Sequence, residues 1–323
     1  MVLAAGLGTR LRPLTYEMAK PLVPVLNRPI MAHILELVRR HGFTDVIANL
    51  SYLPEQLRER FGDGSEYGIS LEWSFEEELL GTAGGVRNVR EFFDRGPFLV
   101  MAADALTDID LGRLVAAHQA NDGIATLAVK KVPDTSEYGV LVTGSDGRIQ
   151  GFQEKPDPPE ALSDLASCTI YMFEPEIFDY FPEALVVDFA LDVFPVLLEN
   201  DVPFYVHEID AYWNDVGSLD EFRQGNFDAL DGAVDVDSGA QRLRDGVLVA
   251  PGASIPENPQ IDPPVLVGAG AEIGPEVVLE GPIVVGDGCR IGRGARLKRC
   301  VLLPGTEIPA ETILVEAIGA RRG

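Results

Sequence analysis

Two hydrophobic rhythms divide this 323-residue chain. Through about residue 231, short apolar runs alternate with helical patterns. Pro29 to Arg40 places Ile30, Ala32, Ile34, Leu35 and Val38 on one face behind a proline start, which predicts an amphipathic helix. Asp45 to Leu50 reads as a strand, and Pro54 to Phe61 as a polar helix stopped by Gly62-Asp63-Gly64. Phe98 to Ala103 is apolar without interruption, the pattern of a central parallel strand covered on both faces. Such alternation predicts an α/β sandwich with its site at the carboxyl ends of the strands.

The second rhythm has a period of six. Val249, Ile255, Ile261, Val267, Ile273, Leu279, Val285, Ile291, Leu297 and Leu303 keep strict phase; Pro309 interrupts it and Val315 resumes it. This is the pattern of a hexapeptide-repeat β-helix, in which each short strand stacks an aliphatic residue on the next coil. Resemblance to hexapeptide proteins implies a left-handed parallel coil with three hexads to a turn. The reading is an α/β domain over 1–231, a linker rich in Asp, Gly and Ala over 232–245, and the repeat domain over 246–323.

Composition narrows the function. The net charge of −25 argues against nucleic acid, which needs a basic face. No apolar run is long enough to span a membrane. Cys168, Cys289 and Cys300 show no metal or disulfide spacing, and no leader pattern precedes the first strand, so a reduced, cytoplasmic protein is expected. An acidic protein that binds phosphates needs a local island of positive charge. Arg10, Arg12 and Lys20 form one, directly after the strand Met1-Val2-Leu3.

That island belongs to the stretch Ala4-Ala5-Gly6-Leu7-Gly8-Thr9-Arg10-Leu11-Arg12-Pro13-Leu14-Thr15, followed by Lys20-Pro21. Glycines let backbone N–H groups approach phosphate oxygens, and the cations neutralise them. It is not a dinucleotide fingerprint, because Leu11 stands where the third glycine belongs, nor a P-loop, because Lys20 lies too far downstream.

The whole segment resembles the signature of the sugar-1-phosphate nucleotidyltransferases, and further matches extend the resemblance over nearly the entire chain. It implies a Rossmann-like mixed sheet flanked by helices. It also implies attack of a sugar 1-phosphate on the α-phosphate of a nucleoside triphosphate, with pyrophosphate leaving. A phosphate monoester is already mostly ionised at neutral pH, so no general base is required, and the scattered His33, His41, His118 and His207 read as structural. Positioning and charge neutralisation remain for the protein to supply.

The resemblance assigns roles by motif. Ala4, Ala5, Gly6, Gly8 and Thr9 would hold the nucleotide, with Arg10 bracing the departing pyrophosphate and Lys20 bridging substrate phosphates. Asp104, ending the apolar strand, and Asp215, in Trp213-Asn214-Asp215-Val216-Gly217-Ser218, would hold Mg²⁺. Glu154-Lys155-Pro156 would take the sugar phosphate, and Gly139 of Tyr138-Gly139-Val140 would let the sugar lie close to the backbone. Ser167 and Thr169 stand where the family often has asparagine and glycine, and Ala103 replaces a usual glycine, adding a methyl near the phosphates.

Glu76-Glu77-Glu78-Leu79-Leu80-Gly81-Thr82 resembles the base-binding loop. Carboxylate acceptors there suit guanine, and the wording is nearest to mannose-1-phosphate guanylyltransferases. GTP with mannose 1-phosphate is therefore the expected pair, in a homo-oligomer. The alternatives are a glucose-1-phosphate thymidylyl- or uridylyltransferase, or a silent paralogue that binds nucleotide sugar and regulates a partner. The lack of any histidine after His207 argues against acyl transfer by the β-helix, since hexapeptide acyltransferases generally use a histidine base.

Overall fold

The computed structural model describes residues 1–320; the last three residues of the expected repeat domain lie outside it. Its first half is a nine-stranded mixed sheet. The strands are β1 (Val2–Leu3), β2 (Asp45–Leu50), β3 (Ser70–Phe75), β4 (Phe98–Ala102), β5 (Ala125–Lys131), β6 (Gly139–Thr143), β7 (Ile149–Glu154), β8 (Leu165–Phe173) and β9 (Tyr205–Glu208). Their order is β7-β6-β8-β4-β1-β2-β3, with β5 beside β8 and β9 beside β5. β4, β1, β2 and β3 run parallel, as the apolar 98–103 run predicts. β8 is antiparallel to β4, β5 and β6, and its register slips between Ser167 and Tyr171.

Helices cover both faces. On one, α1 (Ile30–Arg40), α2 (Pro54–Phe61) and α4 (Leu111–Ala120) bury Ile34, Leu35, Leu57 and Leu114 against the sheet. On the other, Phe98, Phe173, Phe178, Phe189, Phe194 and Phe204 form a phenylalanine-rich core. Helix α3 (Thr82–Arg87) adds Ala83 and Val86 to that core, and α5 (Phe194–Glu199) follows β8. Both cores are continuous because the parallel strands are apolar on both sides.

The C-terminal part is three parallel sheets wound together, the arrangement of a β-helix. Strands Val247–Val249, Val265–Val267, Ile283–Val285, Val301–Leu302 and Ile318–Gly319 form one sheet. Gln241–Arg244, inside the segment expected to be a linker, adds an antiparallel edge to it. Val265 pairs with Ile283, a step of three hexads, so the period is as expected that far.

The phase then changes. Val284 pairs with Val301 and Leu297 with Leu314, one residue short of three hexads. The shortened corner explains it: Pro263-Pro264 and Gly281-Pro282 turn the earlier coils, whereas the single residue Arg299, at φ 53°, turns this one. The stacked positions after Leu297 are therefore Leu302, Ile308 and Leu314, not Leu303, Pro309 and Val315. Val315 is 58% exposed, and Leu303 joins the core between the two halves.

That shared core fixes the β-helix to the first half. The outward side chains of its first sheet, Leu266, Val284 and Val301, pack with Phe222, Phe227 and Ala229 of α6 (Leu219–Asp231) and with Val23, Val25 and Leu26. Each fully buried aliphatic side chain is worth about 1.5–3 kcal/mol. Asn27 Nδ2 donates to the Val285 carbonyl at 2.9 Å, and the Arg299 guanidinium lies 5.2 Å from the Phe227 ring centroid. Helix α6 begins directly after the Asp215 motif, so this packing reaches the site through one helix.

Candidate active site

A cleft of about 450 Å³ opens at the carboxyl ends of β1 and β4. The loop after β1 is tied down at once: Ala4 N donates to Asn49 Oδ1 at 2.7 Å. Gly8 takes the left-handed conformation at φ 61°, and Thr15 Oγ1 donates to its carbonyl. The turn Thr9–Leu11 that follows buries Leu11 completely and sends Arg10 into the cleft.

Five charged side chains meet there from four places in the chain. Lys20 Nζ lies 2.5 Å from Asp104 Oδ2, across from the end of β4. Arg10 forks, with Nη1 2.6 Å from Glu137 and Nη2 3.4 Å from Asp215. Asp215 follows the strand Trp213–Asn214, which pairs with Leu106–Thr107 and so sits beside Asp104. A Cβ on Gly217 would fall 2.6 Å from Arg10 Nη2, so the glycine leaves the guanidinium its seat. Burial, Glu221 and the nearby Asp104 push the Asp215 carboxyl up to about 6 against the pull of Lys20 and Arg10. Its Oδ1 is buried without a hydrogen-bond partner, as is Glu221 Oε2.

The expected positive island is not what forms. Arg12 leaves the cleft and stacks 5.1 Å from the Tyr16 ring centroid. In the cleft wall Arg10, Lys20 and Lys155 face six carboxylates. The loop cations are thus already paired, and phosphate oxygens must compete for them.

At the far end lie Gly139, Glu154, Lys155, Ser167 and Thr169. Lys155 Nζ is 3.3 Å from Glu154, and its N–H donates to the Tyr138 carbonyl. A Cβ on Gly139 would fall 2.5 Å from the Phe152 ring, so the room that glycine leaves is taken by Phe152. The Ser167 and Tyr171 hydroxyls are 3.0 Å apart, and Thr169 holds a left-handed φ of 54° at the slip in β8. Ala103 is 1% exposed and packs in the core, so its methyl does not crowd the cleft.

Gly81 and Thr82 line the third wall. Gly81, at φ 80°, would carry a Cβ 2.4 Å from the Val187 carbonyl oxygen. Thr82 Oγ1 donates to Asp188 Oδ2 at 2.7 Å and accepts from Phe189 N–H at 3.0 Å. These residues stitch the loop to the 187–189 segment. Glu76 is likewise consumed: Oε1 accepts from Asn49 Nδ2 and Oε2 from Leu80 N–H. Glu77 and Glu78 stay outside the cleft, so the carboxylate argument for guanine loses its acceptors.

Ala5, Gly6, Arg10, Lys20, Gly81, Thr82, Asp104, Gly139, Glu154, Lys155, Ser167, Thr169 and Asp215 all line the one cleft, whereas Ala4, Gly8 and Thr9 shape its loop from behind. Sequence reasoning missed Asn49, Glu137, Asp188 and Glu221. Glu221 had a visible signal, since Ser218-x-x-Glu221 reads as a capping box and Ser218 Oγ does accept from Glu221 N–H. Glu137 had none.

Fold and cleft together define an α/β protein whose strand ends gather paired cations and carboxylates behind a glycine loop. A family model described as nucleotidyl transferase matches residues 1–232, and one described as GMPPB C-terminal domain matches 261–322. The chain belongs to the nucleotidyl transferase family. It is 41% identical over 237 residues to a UTP–glucose-1-phosphate uridylyltransferase of Synechocystis sp., covering 69% of this chain and 61% of that protein. It is 35% identical over 259 residues to a mannose-1-phosphate guanylyltransferase of Mycobacterium tuberculosis, covering 78% and 72%. The match thus spans about three-fifths of the cyanobacterial relative's length. Among solved structures, a putative glucose-1-phosphate thymidylyltransferase of Bacillus anthracis shares the fold at TM-score 0.64 and 23% identity, over 73% of this chain and 95% of that one.

Proposed function

We propose that this chain transfers a nucleotidyl group from a nucleoside triphosphate to a sugar 1-phosphate, releasing pyrophosphate. The observation that carries the reading is the convergence of Arg10, Lys20, Asp104 and Asp215 in one cleft from three separate segments. A regulatory paralogue would have no need of all four. The glycine loop and the Gly81-Thr82 wall take the nucleotide, and the Gly139, Glu154, Lys155, Ser167 and Thr169 end takes the sugar phosphate.

Arg10 and Lys20 neutralise phosphate charge, and Arg10 acts most on the charge that develops as pyrophosphate leaves. The residues fit a bound Mg²⁺. Among the described residues no three acidic, His or Cys side chains form a metal cluster, yet Asp215 Oδ1 is buried and unpartnered beside Asp104. Two carboxylates with substrate oxygens and water filling the rest suit Mg²⁺, which would supply Lewis-acid stabilisation of the phosphoryl charge.

We assign GTP and mannose 1-phosphate as the pair. Support comes from the guanylyltransferase relatives and from the GMPPB C-terminal domain match. UTP or dTTP with glucose 1-phosphate is the second reading, favoured by the relative at 41% identity. Residues 1–231 carry the chemistry, 232–245 the join and 246–323 a brace. The protein works as a cytoplasmic homo-oligomer in this reading, consistent with three free cysteines; among the described residues no helix is long and apolar enough to cross a membrane.

The test is pyrophosphate release with Mg²⁺ over GTP, UTP, dTTP, CTP and ATP against mannose, glucose and N-acetylglucosamine 1-phosphates. Release with GTP and mannose 1-phosphate above all other pairs supports the assignment. Release led by UTP or dTTP with glucose 1-phosphate replaces it with the second reading, and none at all contradicts transfer.

A further inference from the structure

Arg10 has a second holder. Its Nη1 lies 2.6 Å from Glu137, closer than Nη2 lies to Asp215. The guanidinium is about half exposed, so these two carboxylates and the Gly217 backbone beneath decide where it points. Glu137 is itself firmly placed. Its turn is closed by Tyr138 N–H donating to the Thr135 carbonyl at 3.1 Å, and Thr135 Oγ1 donates to the Pro156 carbonyl at 2.9 Å. That pins Glu137 to the segment that carries Glu154 and Lys155.

We propose that Glu137 is a positioning residue: it draws the Arg10 guanidinium out across the cleft and keeps it from collapsing onto ground-state phosphates. The inference rests on the transfer reading above. A free arginine would bind a polyphosphate tightly and gain little more in the transition state. Held by Glu137 over Asp215, it binds the ground state less and keeps its contact for charge that develops later, which raises kcat rather than affinity. Glu137 also links the two ends of the cleft, because its turn is hydrogen-bonded to the segment of Glu154 and Lys155 while its carboxylate holds Arg10.

The experiment is a double-mutant cycle on the full chain with Glu137→Gln and Arg10→Ala. The first readout is the Kd for inorganic tripolyphosphate without metal, by calorimetry. The second is kcat with the pair found by the pyrophosphate assay. Glu137→Gln should tighten tripolyphosphate about three- to tenfold and lower kcat about tenfold, and both changes should vanish in the Arg10→Ala background. Glu137→Asp, which keeps the charge, should restore part of kcat. Unchanged or weaker tripolyphosphate binding in Glu137→Gln would overturn the proposal. So would an unchanged kcat, or tightening that persists without Arg10. No turnover by the native chain on any pair would refute the transfer reading, while the tripolyphosphate cycle would still decide the role of Glu137.

Discussion

The sheet domain and the β-helix handle polar groups in opposite ways. In the β-helix, outward charges form ladders up the coil: Arg290 lies 3.9 Å from Glu272 and 3.5 Å from Glu307, and Lys298 lies 3.4 Å from Glu280. Among the described residues, the buried side-chain polar atoms left without hydrogen-bond partners all lie before residue 232. Three of them, Trp213 Nε1, Asp215 Oδ1 and Glu221 Oε2, fall within nine residues of each other around the cleft. Buried polar groups are normally satisfied, so these three mark where stability gives way to function. The β-helix is locally consistent throughout, and that consistency suits a brace.

Breaking the cleft should therefore cost activity, and breaking the brace should cost stability. The largest effect is expected for Asp104→Asn: turnover should fall about a thousandfold or more, because one of the two carboxylates that would hold Mg²⁺ against the phosphates is lost. Steady-state pyrophosphate release checks it, and a loss below tenfold would remove Asp104 from the site.

Val284→Asp comes next. It places a charge in the apolar contact between the first β-helix sheet and α6, where Val284 is 1% exposed. About 3 kcal/mol of stability should be lost, read by denaturant unfolding. A wild-type midpoint would mean that the two halves do not lean on each other.

Asp215→Asn sharpens the contrast through pH. The Asp215 pKa, held up at about 6 by burial, Glu221 and Asp104, exceeds its unfolded value. Folding therefore favours the protonated form. The associated stability is fully present below the unfolded pKa and lost as pH rises through about 6. Without metal, Asp215→Asn should melt a few degrees above wild type at pH 7.5, with the gain gone near pH 4. A gain that is the same at both pH values contradicts this account of the carboxyl. The smallest effect is expected for Arg290→Gln, in the exposed ladder: under about 0.5 kcal/mol in the same unfolding assay.

What could be read from the sequence follows the distance over which each feature is encoded. The α1 and α2 helices, the parallel strands and the six-residue repeat are local patterns, and the structure carries them where they were expected, the repeat only as far as Leu297. The cleft residues in short motifs were likewise readable, because a glycine loop or a strand-end aspartate declares itself within a few positions. Pairings across the chain were not. Arg10 meets Glu137 from 127 residues away and Asp215 from 205 residues away, and no spacing rule connects them.

Two errors came from reading local pattern too literally. The hexad phase ran on past Leu297 because Leu303 is aliphatic, yet one missing residue at the Arg299 corner shifts the stack to Leu302. The acidic run at Glu76 looked like a base reader because only the structure shows Asn49 and Leu80 using both of its oxygens.

The central claim is that these four charged residues serve nucleotidyl transfer. The most direct test is ³¹P NMR of a completed reaction between GTP and mannose 1-phosphate with Mg²⁺. The account predicts inorganic pyrophosphate together with two coupled phosphorus resonances of a nucleoside diphosphate sugar, and neither with Asp104→Asn. No sugar adduct from GTP with mannose 1-phosphate or from UTP or dTTP with glucose 1-phosphate, or GTP converted only to GMP and pyrophosphate, would contradict it.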